Sequence, residues 1–365
     1  MGLENDCPYI IGRGRRGKLN LITDVPGVKV GHVTVSNGYI NTGVTAVLPH
    51  GGNLFKEKVP AGCAIINGFG KTVGLMQVNE IGTIETPIIL TNTLSVGIAS
   101  SGLIRYMLER NPEIGVSTGT VNPIVAECND GPLSDLRGLH IKEEYVYEAI
   151  ENAGTVFEEG CVGGGTGMRT MGIKAGIGSS SRIVELEGKE YTLGCLVQSN
   201  FGAFGDLVIG GDPVGQRIAD AKNDAKKDRG SIIIILATDI PMSDRQLRRV
   251  SMRAAAGIGR MGGYYSNGSG DIAIAFSTAN RIPHEPAGCF INTTQILDDY
   301  IDPVFKMAAE AVEEAITSAL WHAETMKGRD GNVVRSLRDY LGDIEPEKIR
   351  TEKKEPETIV PEKKE

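Results

Sequence analysis

Two stretches of the sequence, 160–178 and 257–270, are dense in glycine and constrain the fold more than any other feature. Glycine accounts for 48 of the 365 residues, about twice its usual share. The glycines show no three-residue period, which excludes collagen, and the aliphatic run at 232–236 requires burial, which excludes wholesale disorder. The sequence therefore predicts a compact protein with many sharp turns or close backbone approaches.

The charge balance excludes several classes of partner. Acidic residues outnumber Lys and Arg by 46 to 38, and this net charge of −8 is opposite to the charge that binds phosphates, so no nucleic-acid partner is expected. The one basic cluster, at 13–18, is predicted to be a solvated N-terminal arm. No apolar run approaches 18 residues, so no membrane span is expected either.

The cysteines and histidines lack metal-binding spacings. The six cysteines form no C-x-x-C pair and the five histidines are scattered, so neither a zinc site nor any other metal is predicted. The stretch 257–262 fits G-x-G-x-x-G but follows a helical segment rather than a strand, so no nucleotide cofactor is expected. Reduced thiols, and an N-terminus without the apolar core of a secretory signal, favour a cytoplasmic location.

Strand and helix patterns predict a layered α/β sandwich in one domain that spans 1–343. Helices are predicted at 95–109, 145–153 and 303–325, and Ser243 is expected to cap a helix that runs to 256. The charged tail at 344–365 is predicted to be disordered. Strands are predicted at 19–22, 28–35, 43–48, 63–66, 86–90, 191–198, 231–237 and 271–276.

Six stretches resemble, in the same order, the DmpA family of aminopeptidases, which includes β-peptidyl aminopeptidases and D-aminopeptidase/esterases. Any one of these stretches would be a weak signal, but the ordered set is specific and spans roughly residues 12–342. The stretches are NLITDVPGVKVGH at 20–32, ECND at 127–130, EGCVGGGTGM at 159–168, VQSNFG at 197–202, SNGSGD at 266–271 and EEAI at 313–316.

The resemblance implies a four-layer αββα sandwich, shared with the ornithine acetyltransferases. It also implies a chain that cuts itself before an internal serine, which then attacks small peptides or amino-acid amides without a cofactor. Enzymes of this family form homo-oligomers of cleaved αβ units, and a tetramer is expected here. The resemblance places the nucleophile at Ser251, so that cleavage after Val250 would give an α chain of 1–250 and a β chain of 251–365.

The residues around Ser251 suit this chemistry. A small-residue segment follows Ser251, where a substrate backbone could approach, and both glycine blocks are expected to meet around it. A serine hydroxyl needs a nearby base to become a nucleophile. The α-amino group freed by cleavage, with a pKa near 8, could be that base without any histidine.

The resemblance assigns the remaining site residues position by position. Ser269 and Asp271 are expected to support the nucleophile and its amino group, and Gly270 to let the substrate backbone pass close by. Asn200 is expected to donate its side-chain amide to the oxyanion. Glu127, with Asp130 as a second candidate, is expected to bind the free amine of the substrate.

Two alternatives remain open from the sequence. An acyltransferase of the ornithine-acetyltransferase type would share the acyl-enzyme, although those enzymes usually carry a threonine nucleophile. An uncleaved, non-catalytic protein is the other alternative, because the β-branched Val250 would crowd the carbonyl that self-cleavage must expose.

Overall fold

The computed structural model describes residues 7–222 and 230–343, so the tail predicted at 344–365 lies outside the described residues. The strands of the described part are β1 (Lys29–Ser36), β2 (Asn41–Leu48), β3 (Glu57–Gly68), β4 (Thr83–Ile84), β5 (Ile88–Asn92), β6 (Ile124–Cys128), β7 (Arg169–Thr170), β8 (Ile173–Lys174), β9 (Ile177–Leu186), β10 (Lys189–Asn200), β11 (Ser231–Thr238), β12 (Gly270–Ser277), β13 (Ile282–Pro283), β14 (Met326–Lys327) and β15 (Val333–Val334). Its α-helices are α1 (Leu75–Glu80), α2 (Val96–Arg110), α3 (Glu143–Glu151), α4 (Val214–Lys222), α5 (Asp244–Met252), α6 (Ala254–Arg260), α7 (Asp302–Trp321) and α8 (Leu337–Gly342).

The two main sheets differ in size. The larger has the order β13-β3-β12-β11-β10-β9, with β4 paired to β3, and the smaller has the order β1-β2-β5-β6. Most neighbouring strands are antiparallel, but β11 and β12 run parallel, as do β5 and β6. Parallel neighbours begin at the same sheet edge, so the first residues of β11 and β12 lie side by side.

The central strand β11 shows how the layers stack. Ile232 and Ile234 on one face pack in the same core cluster as Val312 of α7, whereas Ile233 and Ile235 on the other face pack in the same cluster as Leu90 of β5. An aliphatic strand buried on both faces is typical of an inner layer.

A third core cluster lies on the outer face of the smaller sheet. Ile89 of β5 and Val125 of β6 pack there with Leu103 of α2 and Val146 of α3. The four layers are therefore α2 and α3, the smaller sheet, the larger sheet, and α5 to α7. This confirms the predicted αββα sandwich.

Most predicted elements are present with shifted ends. Ser243 caps α5 by accepting from the backbone N–H of Gln246, as predicted, but the helix breaks after Met252 instead of running to 256. The predicted long helix ends at Trp321 rather than 325. Residues 19–22, which were predicted to form a strand, do not form one. Instead, Ile22–Asp24 forms a 3-10 turn closed by the Asp24 side chain.

The prediction of a solvated arm at 13–18 is only partly right, because Arg13, Arg15 and Lys18 are exposed but the segment is anchored to the protein. The backbone N–H groups of Arg13 and Gly14 donate to Glu310 Oε2 at 3.0 and 2.8 Å, and Arg16 Nε lies 2.9 Å from Glu314 Oε1. Both carboxylates belong to α7 and are buried. A buried carboxylate requires charged or hydrogen-bonding partners, and the N-terminal segment supplies them.

The glycine blocks allow close packing against α7. A Cβ atom on Gly178 would lie 2.0 Å from the carbonyl oxygen of Ala315, and one on Gly257 would lie 2.6 Å from Cβ of Val312. One glycine from each block thus permits α7 to pack close to β9 and α6.

In the described part of the chain, no helix is long and apolar enough to cross a membrane.

Candidate active site

Four strand ends of the larger sheet form one edge at which polar side chains gather. Strand β10 ends at Asn200 and β3 ends at Gly68, while β11 begins at Ser231 and β12 begins at Gly270. Ser231 pairs with Asn200 on one side and with Gly270 on the other, and Gly270 pairs with Gly68. The order across this edge is therefore Gly68, Gly270, Ser231, Asn200.

The smaller sheet contributes to the same edge. The side-chain Nε2 of Gln198 on β10 donates to the carbonyl oxygen of Thr91 on β5 at 2.9 Å, which ties the two sheets together. Thr91 pairs with Glu127 on β6, so Glu127 lies at the same edge of the molecule.

A pocket of about 450 Å³ opens at this edge. It holds three charged side chains together with amide and hydroxyl groups, a composition suited to a small polar substrate. Its lining residues are Phe69, Lys71, Thr93, Glu127, Asn129, Pro132, Arg169, Asn200, Gly230, Ser231 and Gly268.

Ser231 is one of these lining residues. Its Oγ accepts a hydrogen bond from the backbone N–H of Gly270 at 3.1 Å, which fixes the hydroxyl at the strand end. The preceding residue is Gly230, where a Cβ atom would lie 1.8 Å from the carbonyl oxygen of Asn200. Since that oxygen belongs to the backbone, only glycine fits before Ser231.

Ser269 and Asp271 flank Gly270 and contact each other. Ser269 Oγ donates to Asp271 Oδ1 at 2.7 Å, and both side chains are buried. Because Gly270 also donates to Ser231, the pair lies directly next to the strand that carries the hydroxyl. The structure therefore brings Ser269, Gly270 and Asp271 to Ser231.

The amide of Asn200 is oriented by two hydrogen bonds. Its Oδ1 accepts from the backbone N–H of Arg169 and its Nδ2 donates to the carbonyl oxygen of Asn129, both at 3.1 Å. An amide nitrogen carries two hydrogens, so a second donor remains for the pocket. This is the geometry that a fixed oxyanion donor requires.

Glu127 and Asp130, the two carboxylates proposed to bind an amine, lie in different environments. Glu127 lines the pocket and its Oε1 accepts from the backbone N–H of Lys71 at 3.0 Å, with only 3% of the residue exposed. Asp130 is fully buried and outside the pocket lining, and burial raises its pKa to about 7. Glu127 is thus the carboxylate that faces the pocket.

Ser251 lies apart from this pocket, and its environment does not suit the role that the sequence suggested. It is a fully buried residue of α5, and its Oγ donates to the carbonyl oxygens of Leu247 and Gly62 at 3.0 and 3.1 Å. The preceding Val250 is part of the core. Cleavage at this bond would cut a helix on its buried face. Neither acceptor of the Ser251 hydroxyl belongs to the glycine blocks that were expected around it.

Sequence reasoning missed Ser231 although it predicted the strand that Ser231 begins. The available signal was a Gly-Ser pair directly before a run of five aliphatic residues. Arg169, Lys71 and Phe69 were also missed, and no local pattern marks them.

Within 7–222 and 230–343, no three His, Cys, Asp or Glu side chains are grouped as a metal site would need.

The sequence matches that of known peptidases over most of its length. The pattern that defines peptidase family S58 matches residues 20–334. The chain is 39% identical over 348 residues to the β-peptidyl aminopeptidase BapA of Sphingosinicella microcystinivorans, with 89% of this chain and 87% of that protein covered.

Solved structures agree with this match. The PH0078 protein of Pyrococcus horikoshii OT3 is 55% identical with a TM-score of 0.87, over 90% of this chain and 94% of that chain. The L-aminopeptidase D-Ala-esterase/amidase of Ochrobactrum anthropi, a prototype of the serine aminopeptidases with a variant of the Ntn hydrolase fold, is 37% identical with a TM-score of 0.84, over 92% and 97%. The chain therefore belongs to peptidase family S58 and is a serine aminopeptidase.

Proposed function

We propose that Ser231 is the nucleophile of this aminopeptidase and that self-cleavage of the Gly230–Ser231 bond creates it. The α chain would be 1–230 and the β chain 231–365, in place of the boundary at 250 that the sequence suggested. The observation that carries this proposal is the position of the Ser231 hydroxyl, which lines one pocket together with Asn200 and Glu127.

Self-cleavage would proceed by an acyl shift. The hydroxyl oxygen of Ser231 attacks the carbonyl carbon of Gly230, the C–N bond breaks, and the nitrogen takes up a proton to become the α-amino group of Ser231. Water then hydrolyses the resulting ester, which leaves a carboxylate on Gly230 and restores the hydroxyl. The absence of a side chain on Gly230 supports this step, because nothing on its Cα crowds the attacked carbonyl.

Hydrolysis of the substrate would use the freed amine as base. The α-amino group of Ser231 accepts the hydroxyl proton while Oγ attacks the substrate carbonyl, and the same proton passes to the leaving amine as the C–N bond breaks. Water hydrolyses the acyl-enzyme in a second step. The Ser269–Asp271 pair supports this role, since a carboxylate near the N-terminus stabilises the ammonium that forms when the amine takes the hydroxyl proton.

Two further residues would bind the substrate on either side of the reacting carbonyl. The second amide hydrogen of Asn200 would donate to the oxyanion. Glu127 would accept hydrogen bonds from the ammonium of the substrate, which explains a requirement for a free N-terminus.

The alternative of an uncleaved, non-catalytic protein loses its support, because Val250 no longer precedes the proposed nucleophile.

We infer the substrate class from this arrangement and from the names of the relatives. The relatives include a β-peptidyl aminopeptidase and an L-aminopeptidase with D-Ala-esterase/amidase activity. Short peptides, amides or esters with a free amine fit a pocket of about 450 Å³ that contains one buried carboxylate.

We further propose a homo-oligomer, a tetramer of αβ units, in the cytoplasm. Large apolar side chains at the surface support association, since Phe290 is 92% exposed and Leu297 is 68% exposed. The six cysteines are all free thiols, which fits a reducing compartment.

The test compares Ser231→Ala with Ser251→Ala on a panel of aminoacyl p-nitroanilides. Ser231→Ala removes the hydroxyl in the pocket, so we expect loss of cleavage and of hydrolysis. Ser251→Ala removes a hydroxyl whose hydrogen bonds lie within the core, so it should lower the free energy of unfolding by about 1 kcal/mol. Self-cleavage and substrate hydrolysis should both continue. Activity that survives in Ser231→Ala but is lost in a folded Ser251→Ala protein would contradict the assignment.

A further inference from the structure

Arg169 lies at the active-site pocket without a role in the chemistry described so far. It is the first residue of β7, and its backbone N–H donates to Oδ1 of Asn200 at 3.1 Å. Its side chain lines the same pocket as Ser231. The residue that orients the oxyanion donor therefore also places a guanidinium group beside the reacting centre.

No carboxylate of the described residues pairs with this guanidinium, although other arginines of the chain have acidic partners. Arg16 and Arg182, for example, contact Glu314 of α7. Arg169 is partly buried, and this burial lowers its pKa because water is removed from the charge without a compensating anion. A guanidinium offers five N–H donors in a fork that matches a carboxylate, so its natural partner at this place is an anionic group of the substrate.

The order of residues across the sheet edge gives the direction of the substrate. Glu127 accepts from the backbone of Lys71, which follows β3, so the carboxylate lies on the β3 side of Ser231. Asn200 and Arg169 lie on the β10 side. A substrate with its amine at Glu127 and its carbonyl at Ser231 therefore directs its leaving group towards Arg169.

Lys71, the other cation of the pocket, lies at the opposite end. Its side chain is exposed, and its Nζ lies 4.9 Å from the centre of the Phe69 ring. Arg169 has no such aromatic partner among residues 7–222 and 230–343. The charges along the pocket are thus a carboxylate near Lys71 at one end and an unpaired guanidinium at the other, with the hydroxyl between them.

Resting on the proposed function, we propose that Arg169 binds the carboxylate of the leaving group. The preferred substrates are then dipeptides with a free C-terminus, whose two residues span roughly 7 Å in extended form. Glu127 and Arg169 bind the two ends of such a zwitterion, and together they position the peptide carbonyl at Ser231.

The test uses a dipeptide and its C-terminal amide, built on an aminoacyl group that the p-nitroanilide assay shows to be accepted. We expect the wild-type enzyme to hydrolyse the free acid with a kcat/KM about tenfold or more above that of the amide. Arg169→Gln should bring this ratio close to one, and Arg169→Lys should retain part of it. Lys71→Gln removes a positive charge from the other end of the pocket, so its ratio should equal that of the wild type.

The p-nitroanilide, which has no carboxylate, separates the two proposals. Arg169→Gln should lose less activity towards it than towards the free-acid dipeptide, because only the dipeptide carries the carboxylate that binds Arg169. A wild-type ratio near one, or an unchanged ratio in Arg169→Gln, would overturn the role of Arg169 while the proposed function stands. A wild-type enzyme inert towards every p-nitroanilide would instead contradict the proposed function.

A second measurement covers the case in which Arg169→Gln fails to fold. The free amino acid that leaves the dipeptide should inhibit the wild-type enzyme more strongly than its amide, since only the acid carries the group that binds Arg169. Equal inhibition by the two compounds would overturn the proposal.

Discussion

Asn200 and Ser231 are paired directly across two antiparallel strands, with the last residue of β10 opposite the first residue of β11. This pairing brings an amide donor and a hydroxyl to one pocket although 31 positions separate them in sequence. It also packs Gly230 against the backbone of Asn200. The proposed oxyanion donor, the proposed nucleophile and the bond proposed to be cut are therefore positioned by a single strand pairing.

Gly230→Ala tests the packing before the nucleophile. The added methyl group would meet the carbonyl oxygen of Asn200 at 1.8 Å, so we expect the strand end to shift and self-cleavage to slow by at least about tenfold. The ratio of intact to cleaved chain over time, read on a denaturing gel, measures this. Gly97→Ala is the control, because its Cβ would meet no atom within 4 Å. Normal cleavage in Gly230→Ala would contradict the close packing.

Asn200→Ala tests the oxyanion donor. Loss of a positioned donor costs about 10²–10³ in kcat for comparable enzymes, and KM should change little because the donor acts on the transition state. Steady-state kinetics on a p-nitroanilide separate the two constants. An increase confined to KM would show that Asn200 binds the ground state instead.

Asp271→Asn tests the carboxylate that Ser269 contacts. The amide keeps the shape of the side chain but removes its charge, so we expect activity to fall by about 10²-fold or more. Asp271→Glu keeps the charge and should retain more activity than Asp271→Asn. Equal activity in the two variants would show that charge at this position is not used.

Asp130→Asn tests a pH dependence of stability. The folded state keeps the Asp130 proton up to a pKa of about 7, whereas the unfolded chain loses it near 4. Over that interval the unfolded state binds fewer protons, so this group lowers the stability of the wild type as pH rises. Thermal melting should therefore show a gain in Tm for Asp130→Asn that is larger at pH 8 than at pH 5. A gain that does not change with pH would contradict the raised pKa of Asp130.

The layers could be predicted from local sequence, whereas contacts between distant segments could not. Strand β11 could be predicted because its five consecutive aliphatic residues require burial on both faces. The position of Glu310 and Glu314 against the N-terminal arginines could not, since nearly 300 positions separate the partners. Local charge therefore indicated a solvated arm where the folded chain has a buried ion-pair network.

The choice between Ser231 and Ser251 shows the same limit more sharply. Ser231 and Ser251 both lie in segments of suitable composition, and the small residues after Ser251 resemble a place for close approach. The difference between them is non-local, because the pairing of β10 with β11 brings Ser231 to Asn200, whereas the packing of α5 on β3 turns Ser251 to the carbonyl of Gly62. Strand order, rather than local pattern, decides which serine faces the pocket.

The intact mass of the purified protein tests the central claim most directly. We expect two polypeptides whose masses fit 1–230 and 231–365 and sum to the full chain plus one water, and we expect a single intact chain from Ser231→Ala. A boundary at Val250–Ser251, or a wild-type protein that hydrolyses aminoacyl p-nitroanilides while it remains one chain, would contradict Ser231 as an N-terminal nucleophile.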